Sequence, residues 1–386
     1  MSKYFLKTFG CQQNVADSER IASFYESRGF VAASSEREAD VIVINTCVVR
    51  ERAAEKVFGL IRNLAPLKEK NPRLTFVITG CLIGAASREP SGKMMKALRA
   101  RLPEVQFLPL EEVGFEYRPK RAAGKVAFIP ISNGCNNYCT YCIVPFSRGK
   151  ERSRAFSDIV DEVREAVSSG RNEIFLLGQN VNSYGSDFLL DALSKKNELF
   201  RLPDGKEVKP VFVKHLNRHR IPTLFPHLLE AVATIPGVSK VSFISSNPWD
   251  FSDELIATMA RYETIDRLIH LPVQAGSDAV LKRMNRWYSR DEYLALIGKI
   301  RATLPEARFT TDIIVGFPGE SLEDFEATVD LARRVNFEKA YIAWYSPRPG
   351  TAASKFLDDV PYEEKTRRRK ELDMIVNGNR HNNIDK

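Results

Sequence analysis

A chain of 386 residues with 44% hydrophobic residues is long enough to bury the cores of two or three domains. Apolar runs such as VIVINTCVV are far too short for a membrane span, and MSKYFLKTFG lacks a signal-peptide pattern, so we expect a cytoplasmic protein with no membrane partner. A net charge of +8 favours a polyanionic partner such as nucleic acid.

Strand and helix signals alternate through the first 118 residues. In chain order they are KYFLKTFG, ADSERIASFYESRGF, VIVINTC, ERAAEKVFGLIRNL, LTFVITGC, GKMMKALRARL and VQFLPL. Apolar strands that alternate with amphipathic helices predict a parallel sheet covered on both faces. The polar segment 117–125 predicts a linker.

Three cysteines of this first part, Cys11, Cys47 and Cys81, each follow an apolar strand. The carboxyl ends of parallel strands share one edge, where ligands bind, so we expect the three to converge on one crevice. A small, easily buried residue also suits a strand end for packing alone. In a reducing compartment, however, cysteines are more often metal ligands or catalysts than disulfides.

Six further strand signals begin at Val126, with helical segments between them. They are KVAFIPIS, EIFLLGQN, KVSFISS, RLIHLPV, RFTTDIIVG and KAYIAWYS. About six β/α units predict an incomplete or complete β/α barrel with its active site at the carboxyl ends of the strands. Residues 187–220 break the rhythm and predict an inserted, mobile basic loop.

Cys135, Cys139 and Cys142 form a C-x3-C-x2-C array directly after the first of these strands. A structural zinc site needs four ligands, and none of the five histidines lies near the array in sequence. A four-iron cluster held by three thiolates keeps one iron open for a non-protein ligand. The spacing therefore favours an iron–sulfur cluster with an open iron, although a distant histidine that completes a zinc site stays an alternative.

The array, with Tyr141 before its last cysteine, resembles the signature of radical S-adenosylmethionine enzymes. A closer likeness, to the methylthiotransferase family, extends from about residue 3 to about residue 372. The blocks that carry it are TFGCQQNVADSERI, NTCVVRERAAEK, GCNNYCTYCIVPFSRGKERSR, LLGQNVNSYG, HLPVQAGS, LKRMNRWYSRDEY, TDIIVGFPGE and YSPRPGTAAS. GCLIGAA and VQAGS differ slightly from the common family forms.

The resemblance implies an α/β fold of two domains. Residues 1–118 would form an open parallel-sheet, flavodoxin-like methylthiotransferase domain, and residues 125–375 a radical SAM core folded as a (β/α)6 partial TIM barrel. The small C-terminal TRAM β-barrel, an RNA-binding domain usual in the family, is expected to be absent. Residues 376–386 would be the tail where it would begin.

The resemblance also implies two 4Fe–4S clusters and S-adenosyl-L-methionine as cofactors. Cys135, Cys139 and Cys142 would hold the radical SAM cluster, which cleaves S-adenosylmethionine to a radical that abstracts hydrogen. Cys11, Cys47 and Cys81 would hold an auxiliary cluster that presents the sulfur. Such a radical is needed because acid–base chemistry does not activate an aromatic C–H bond.

The strings TFGCQQN and GQNVNSY resemble the family branch that methylthiolates isopentenyl-adenosine in tRNA. That branch converts N6-isopentenyladenosine next to the anticodon, at position 37, to 2-methylthio-N6-isopentenyladenosine. Methylthiolation of threonylcarbamoyl-adenosine in tRNA or of a ribosomal-protein aspartate are alternatives, as are an iron–sulfur electron carrier and a zinc-containing RNA-binding protein. The implied partners are tRNA, an electron donor such as flavodoxin, and a sulfur source.

Further site residues are expected at the strand ends of the barrel. The candidates for binding the cofactor are Tyr141, Gly178, Gln179, Asn180, His270, Gln274, Asp312 and Gly316. His270 equally suits a hydrogen-bonded core histidine, and Gly316 would permit close backbone approach to a ligand. The candidates for binding the substrate RNA or the cofactor carboxylate are Arg148, Arg152 and Arg154, since guanidinium groups suit anions, and the basic segment 195–220 would add RNA affinity.

Overall fold

The computed structural model describes residues 1–48, 51–121, 124–187, 189, 199–215 and 219–381. The N-terminal unit contains a five-stranded sheet in the order β2-β1-β3-β4-β5, and every pairing is parallel. Its strands are β1 (Lys3–Phe9), β2 (Val31–Ala32), β3 (Val41–Thr46), β4 (Thr75–Gly80) and β5 (Val105–Leu108). This is the strand order of flavodoxin-type folds, so the predicted flavodoxin-like sheet is confirmed.

Helices cover both faces of this sheet. They are α1 (Gln12–Glu26), α2 (Glu51–Leu64), α3 (Leu67–Lys70), α4 (Cys81–Arg88) and α5 (Lys93–Arg101). Successive side chains of a strand point to opposite faces. Accordingly, Ile42 and Ile44 belong to one hydrophobic core with Val57 of α2, whereas Val43 belongs to a second core with Ile21 of α1.

The second unit is an open barrel of six parallel strands. In chain order its strands and neighbouring hairpins are β6 (Val126–Pro130), β7 (Ser132–Asn133), β8 (Arg152–Ser153), β9 (Glu173–Leu177), β10 (Phe200–Arg201), β11 (Glu207–Val208), β12 (Val211–His215), β13 (His219–Thr223), β14 (Lys240–Phe243), β15 (Leu268–His270), β16 (Arg308–Val315) and β17 (Lys339–Trp344). The barrel strands form two parallel groups, β6-β9-β14 and β15-β16-β17, and the Val241–Ile265 bridge leads from one group towards the other. Within the residues given above, β6 and β17 each pair with one barrel neighbour, so the barrel is open between them and the predicted partial barrel is confirmed.

Helices on the outside of the barrel bury one large core against its strands. After the short α6 (Val144–Arg148), which packs against α4 of the N-terminal unit, these helices are α7 (Phe156–Ser168), α8 (Phe225–Ala233), α9 (Asp253–Arg261), α10 (Asp278–Arg283), α11 (Arg290–Thr303), α12 (Leu322–Val335) and α13 (Tyr362–His381). Because α13 continues through His381, the predicted tail at 376–386 starts inside a helix; the predicted domain boundaries otherwise stay predictions. In the part of the chain that the structure describes, no helix is both long and apolar enough to cross a membrane.

The predicted insertion at 187–220 is not simply a loop. Its described residues include the antiparallel pairs β10–β11 and β12–β13. Residues 188, 190–198 and 216–218, on which part of that prediction falls, lie outside the described residues.

Candidate functional site

The structure brings Cys11, Cys47 and Cys81 together at the carboxyl edge of the N-terminal sheet. Cys11 caps the N-terminus of α1, and Cys81 is the first residue of α4. A hydrogen bond between the Cys47 and Cys81 thiols, followed by burial, raises the pKa of Cys81 well above its usual value. Two of the three cysteines stand at helix N-termini, whose partial positive charge acts against this rise and favours an anionic sulfur.

Gly80, the last residue of β4, lets this strand approach β3 closely. Its φ is +95°, and a Cβ atom at this position would lie 2.4 Å from the backbone oxygen of Thr46. A side chain here would therefore push β4 away from β3 and separate Cys81 from Cys47.

A buried amide network supports the loop that carries Cys11. The side-chain oxygen of Asn14 accepts hydrogen bonds from the backbone N–H and the Sγ of Cys11, at 3.3 and 3.5 Å. Asn14 also donates to Oδ1 of Asn45 at 3.2 Å, and Asn45 donates to Oγ of Ser18 at 2.9 Å. Buried amides that are fully paired hold one geometry, so the network positions Cys11.

Cys135, Cys139 and Cys142 lie in the loop between β7 and α6, beside the carboxyl ends of the first barrel strands. Burial raises the pKa of Cys135 above its usual value, and the nearby charges of Cys142, Glu151 and Cys139 raise it further. Burial and the neighbouring Cys139 sulfur raise the pKa of Cys142 to about 12. The loop is held against the barrel because Thr140 N–H donates to the Met284 oxygen at 3.0 Å.

Each triad has one buried arginine that donates to a cysteine sulfur. Nε of Arg148 lies 3.2 Å from Sγ of Cys81, and Nη1 of Arg286 lies 3.6 Å from Sγ of Cys139. Both arginines are only 6% exposed. Burial opposes their charge, but Asp17 and the sulfurs near Arg148, and the phenols and sulfur near Arg286, raise the pKa of each above its usual value. The contact of Arg286 with Cys139 was not predicted from the sequence, because nothing in the residues around Arg286 indicates a cysteine partner.

Among the described residues, several buried polar atoms without a hydrogen-bond partner line the barrel beside the second triad. They are Ser132 Oγ, Asn137 Oδ1, Asn180 Oδ1 and Trp249 Nε1. Buried polar atoms normally have partners, so such a set fits a polar ligand with donors and acceptors of its own. Burial also raises the pKa of Asp250 to about 7 and that of Glu151, which accepts from Ser183, to about 8.

Four of the predicted cofactor residues lie beside the array. Tyr141 packs against the barrel core, and Asn180 donates to Asp250 Oδ2 at 2.7 Å. Gly178 sits where a Cβ atom would come 2.8 Å from Ser132 Oγ. Gln179 instead spans the two units: its Oε1 accepts from Gly134 N–H at 2.6 Å and its Nε2 donates to Gln13 at 3.3 Å.

The other four predicted cofactor residues lie on β15, β16 and the segments after them. His270 contacts Asp312 with 3.3 Å between Nε2 and Oδ2, and both side chains are partly exposed. Gln274 has a φ of +69° and pairs through its backbone with β16. At Gly316 a Cβ atom would lie 2.3 Å from Cγ of Lys365, so this glycine allows α13 to pack and the expected room for a ligand is occupied.

Two of the three arginines predicted to bind RNA are internal instead. Arg148 pairs with Asp17 at 2.6 Å, and Arg154 pairs with the buried Glu162 at 2.7 Å. Buried charges require partners. Arg148 finds its partner Asp17 in the N-terminal unit, whereas Arg154 finds Glu162 within its own unit. The third, Arg152, is exposed.

Protein-family models match parts of both units of the chain. A model described as the radical SAM superfamily matches residues 129–332, and one described as the uncharacterized protein family UPF0004 matches residues 3–98. A protein named tRNA-2-methylthio-N(6)-dimethylallyladenosine synthase from Carboxydothermus hydrogenoformans is 42% identical over 97% of this chain and 83% of its own length. A protein of the same name from Thermotoga petrophila is 38% identical over 95% of this chain and 80% of its own.

Solved structures resemble the fold at low sequence identity. A radical S-adenosylmethionine methyltransferase from Kitasatospora setae, solved with cobalamin and a 4Fe–4S cluster, has a TM-score of 0.59 and 13% identity, covering 92% of this chain and 77% of its own. A cobalamin-dependent S-adenosylmethionine radical enzyme, OxsB, has a TM-score of 0.54 and 11% identity, covering 98% of this chain and 56% of its own. These likenesses concern the fold alone.

Proposed function

Because the chain belongs to the radical SAM superfamily and, within it, to the family of tRNA-2-methylthio-N(6)-dimethylallyladenosine synthases, we propose that it methylthiolates tRNA. The substrate is N6-isopentenyladenosine at position 37, and the product is 2-methylthio-N6-isopentenyladenosine. The enzyme is a transferase whose cofactors are S-adenosyl-L-methionine and two 4Fe–4S clusters. The observation that carries the proposal is the pair of cysteine triads, one on each side of one domain interface.

Each triad fits a four-iron cluster that keeps one iron without a protein ligand. Cys135, Cys139 and Cys142 would hold the radical SAM cluster, and Cys11, Cys47 and Cys81 the auxiliary cluster. In the described part of the chain no group of three or more His, Cys, Asp or Glu side chains is placed to hold a single metal ion. A cubane has a different requirement, since each thiolate binds its own iron. When bound, the clusters and S-adenosylmethionine supply C–H abstraction and sulfur transfer, which side chains alone do not provide.

The chain's own residues orient the cofactor and seal its site. Asn180, Asp250 and their unpartnered neighbours would satisfy the polar groups of S-adenosylmethionine, with Tyr141 and Gly178 beside them. Arg286 keeps a positive charge next to Cys139. Gln179 contributes by joining the two units, and Gln274 holds the strand end through its backbone.

His270 and Asp312 are proposed to face the substrate or cofactor from the far wall of the barrel. Phe309, Ile313 and Val315 of β16 are buried in the core, so the alternate Asp312 faces the opposite side, where its side chain is 42% exposed. His270 is hydrogen-bonded to Thr310 at 2.9 Å, which restricts its ring orientation.

Arg152 stays a proposed contact for RNA phosphates because it is exposed on the short strand β8. The basic segment 195–220 is proposed to add RNA affinity, and its removal should then lower the salt dependence of tRNA binding. An electron donor such as flavodoxin, a sulfur source and a cytoplasmic location complete the proposal.

Mass spectrometry of tRNA nucleosides tests the function directly. Cells that lack the gene should lose 2-methylthio-N6-isopentenyladenosine and accumulate N6-isopentenyladenosine, and the wild-type gene should restore the product. A gene carrying Cys47→Ala or Cys139→Ala should not restore it. An unchanged nucleoside profile in the cells that lack the gene would refute the substrate.

The cluster content is tested separately on protein purified without oxygen. Two four-iron clusters predict about eight irons per chain. The triple replacement Cys135→Ala, Cys139→Ala and Cys142→Ala should leave about four. A colourless zinc protein would favour the RNA-binding alternative.

A further inference from the structure

Arg148 is carried by the radical SAM unit, yet its guanidinium group lies among residues of the N-terminal unit. Nε donates to Sγ of Cys81 at 3.2 Å, and Nη2 donates to Oδ2 of Asp17 at 2.6 Å. Nη1 donates to Oδ1 of Asn133 at 2.9 Å, within its own unit. All three nitrogens of the guanidinium are therefore engaged, and the planar fork fixes the direction of each bond.

The backbone that carries Arg148 is held against the helix that begins at Cys81. Arg148 ends α6, and the carbonyl of the preceding Ser147 accepts a hydrogen bond from Arg88 of α4 at 2.6 Å. At Gly84 of α4 a Cβ atom would lie 2.0 Å from that same carbonyl oxygen. The two helices thus meet backbone to backbone, and this contact leaves little freedom for the base of the Arg148 side chain.

The same two helices begin next to the two cysteine triads. Cys81 is the first residue of α4, and Cys142 precedes α6 by the single residue Ile143. A displacement of α6 against α4 would move the Arg148 guanidinium away from Cys81. The N-terminal triad therefore has its full set of contacts only when the two units are docked.

The charges around Arg148 indicate what it does at the triad. A buried guanidinium is tolerated only when it is paired, and Asp17 supplies one negative partner. Asn133 is neutral, and the third contact is with the Cys81 sulfur, which carries negative charge as a thiolate or as a cluster ligand. Among the described residues a different buried arginine, Arg286, contacts the second triad, so Arg148 serves the N-terminal triad.

From these contacts we infer that Arg148 is a positioning residue of the auxiliary cluster. It places a positive charge and a hydrogen bond on the Cys81 sulfur and thereby favours the reduced, more negative cluster. It also makes the auxiliary site depend on the docking of the radical SAM unit. The inference rests on the proposed function, in which Cys11, Cys47 and Cys81 hold a cluster.

The test compares Arg148→Gln and Arg148→Lys with the matched controls Arg154→Gln and Arg154→Lys. Arg154 is equally buried and also joins the two units, but its partners are the Pro130 oxygen, Glu162 and the Phe115 ring. The midpoint potential of the auxiliary cluster is followed by EPR in the full chain, with the radical SAM cysteines replaced by alanine to isolate its signal.

Arg148→Gln should lower the ratio of reduced to oxidised auxiliary cluster about tenfold at a fixed potential, which is about 59 mV for a one-electron couple. Arg148→Lys should show a smaller shift, because one ammonium group keeps the charge but does not span Cys81 and Asp17 together. The Arg154 variants should leave this midpoint unchanged. In the matching protein with Cys11, Cys47 and Cys81 replaced by alanine, no Arg148 variant should move the radical SAM midpoint. Loss of the auxiliary cluster alone in Arg148→Gln would also support the inference.

An unchanged auxiliary midpoint in Arg148→Gln with full iron content would overturn it. If Arg148→Gln does not fold, Arg148→Lys and Asp17→Asn decide, and unchanged midpoints in both overturn it. Failure of the proposed function would give a different result. Both the wild-type chain and the Arg148 variants would then show no cluster on Cys11, Cys47 and Cys81.

Discussion

Replacing Glu162 with glutamine should weaken the junction between the two units. Glu162 lies on α7 of the barrel, its side chain is 1% exposed, and it accepts from Arg20 of α1 and from Arg154, each at 2.7 Å. Arg121 is a third partner. Burial opposes the charge of Glu162, but the three guanidinium groups outweigh it and lower its pKa.

The expected cost follows from what glutamine leaves behind. It keeps the shape and an acceptor oxygen but leaves three positive charges in a buried site without their shared anion. Removing one partner of a buried ion pair typically destabilises by about 3–5 kcal/mol, a large part of the ~5–15 kcal/mol of a whole protein. The matched control is Glu165→Gln, one turn along α7, whose pair with Arg118 is exposed and worth about 0–1 kcal/mol.

Urea denaturation at pH 7 measures the difference, and limited proteolysis of the 117–125 segment reports separation of the units. Glu162→Gln should lower the apparent unfolding free energy by several kcal/mol relative to Glu165→Gln and should speed cleavage. The lowered pKa also sets the pH dependence of stability. Ionised Glu162 stabilises the folded protein at pH values above its unfolded pKa, near the ordinary 4.5, and this stabilisation is lost as pH falls through the lower folded pKa. Equal stabilities for the two variants would refute the reasoning.

Three further predictions concern other buried contacts. Glu151 has a folded pKa of about 8, so its contribution to the free energy of unfolding falls as pH rises from 4.5 to 8. Glu151→Gln should therefore gain stability over wild type by up to about 1.4 kcal/mol per pH unit in urea titrations across that range. A pH-independent difference contradicts this. Gly84→Ala should lower the melting temperature, because the new Cβ would meet a backbone oxygen of α6 at 2.0 Å, whereas Gly59→Ala in open space should be neutral or stabilising by up to about 1 kcal/mol. Asn14→Ala removes buried hydrogen bonds worth about 1–3 kcal/mol and should reduce the iron bound at the N-terminal triad. Alanine at the exposed Gln12 is the control and should not reduce it. Equal iron contents in the two variants would argue against the network's role.

The alternation of apolar strands and amphipathic helices was enough to predict both folds. In β3, Val41–Thr46, the run of apolar residues reads as a strand buried on both faces, and the structure buries it that way. The placement of Cys11, Cys47 and Cys81 after three strands predicted their convergence, because parallel strands end at one edge. These are local patterns with a simple geometric consequence, so the sequence alone determined them.

The partners of the charged and glycine residues were decided by tertiary structure. Arg148, Arg152 and Arg154 look alike in the string RGKERSR, yet two are buried in ion pairs and one is exposed. Likewise, Gly316 follows a strand as a ligand-contacting glycine would, but Lys365, which is distant in sequence, fills the space above it. Whether a guanidinium binds RNA, a carboxylate or a cysteine sulfur depends on which residues surround it, and residues from two separately patterned units meet only when those units dock.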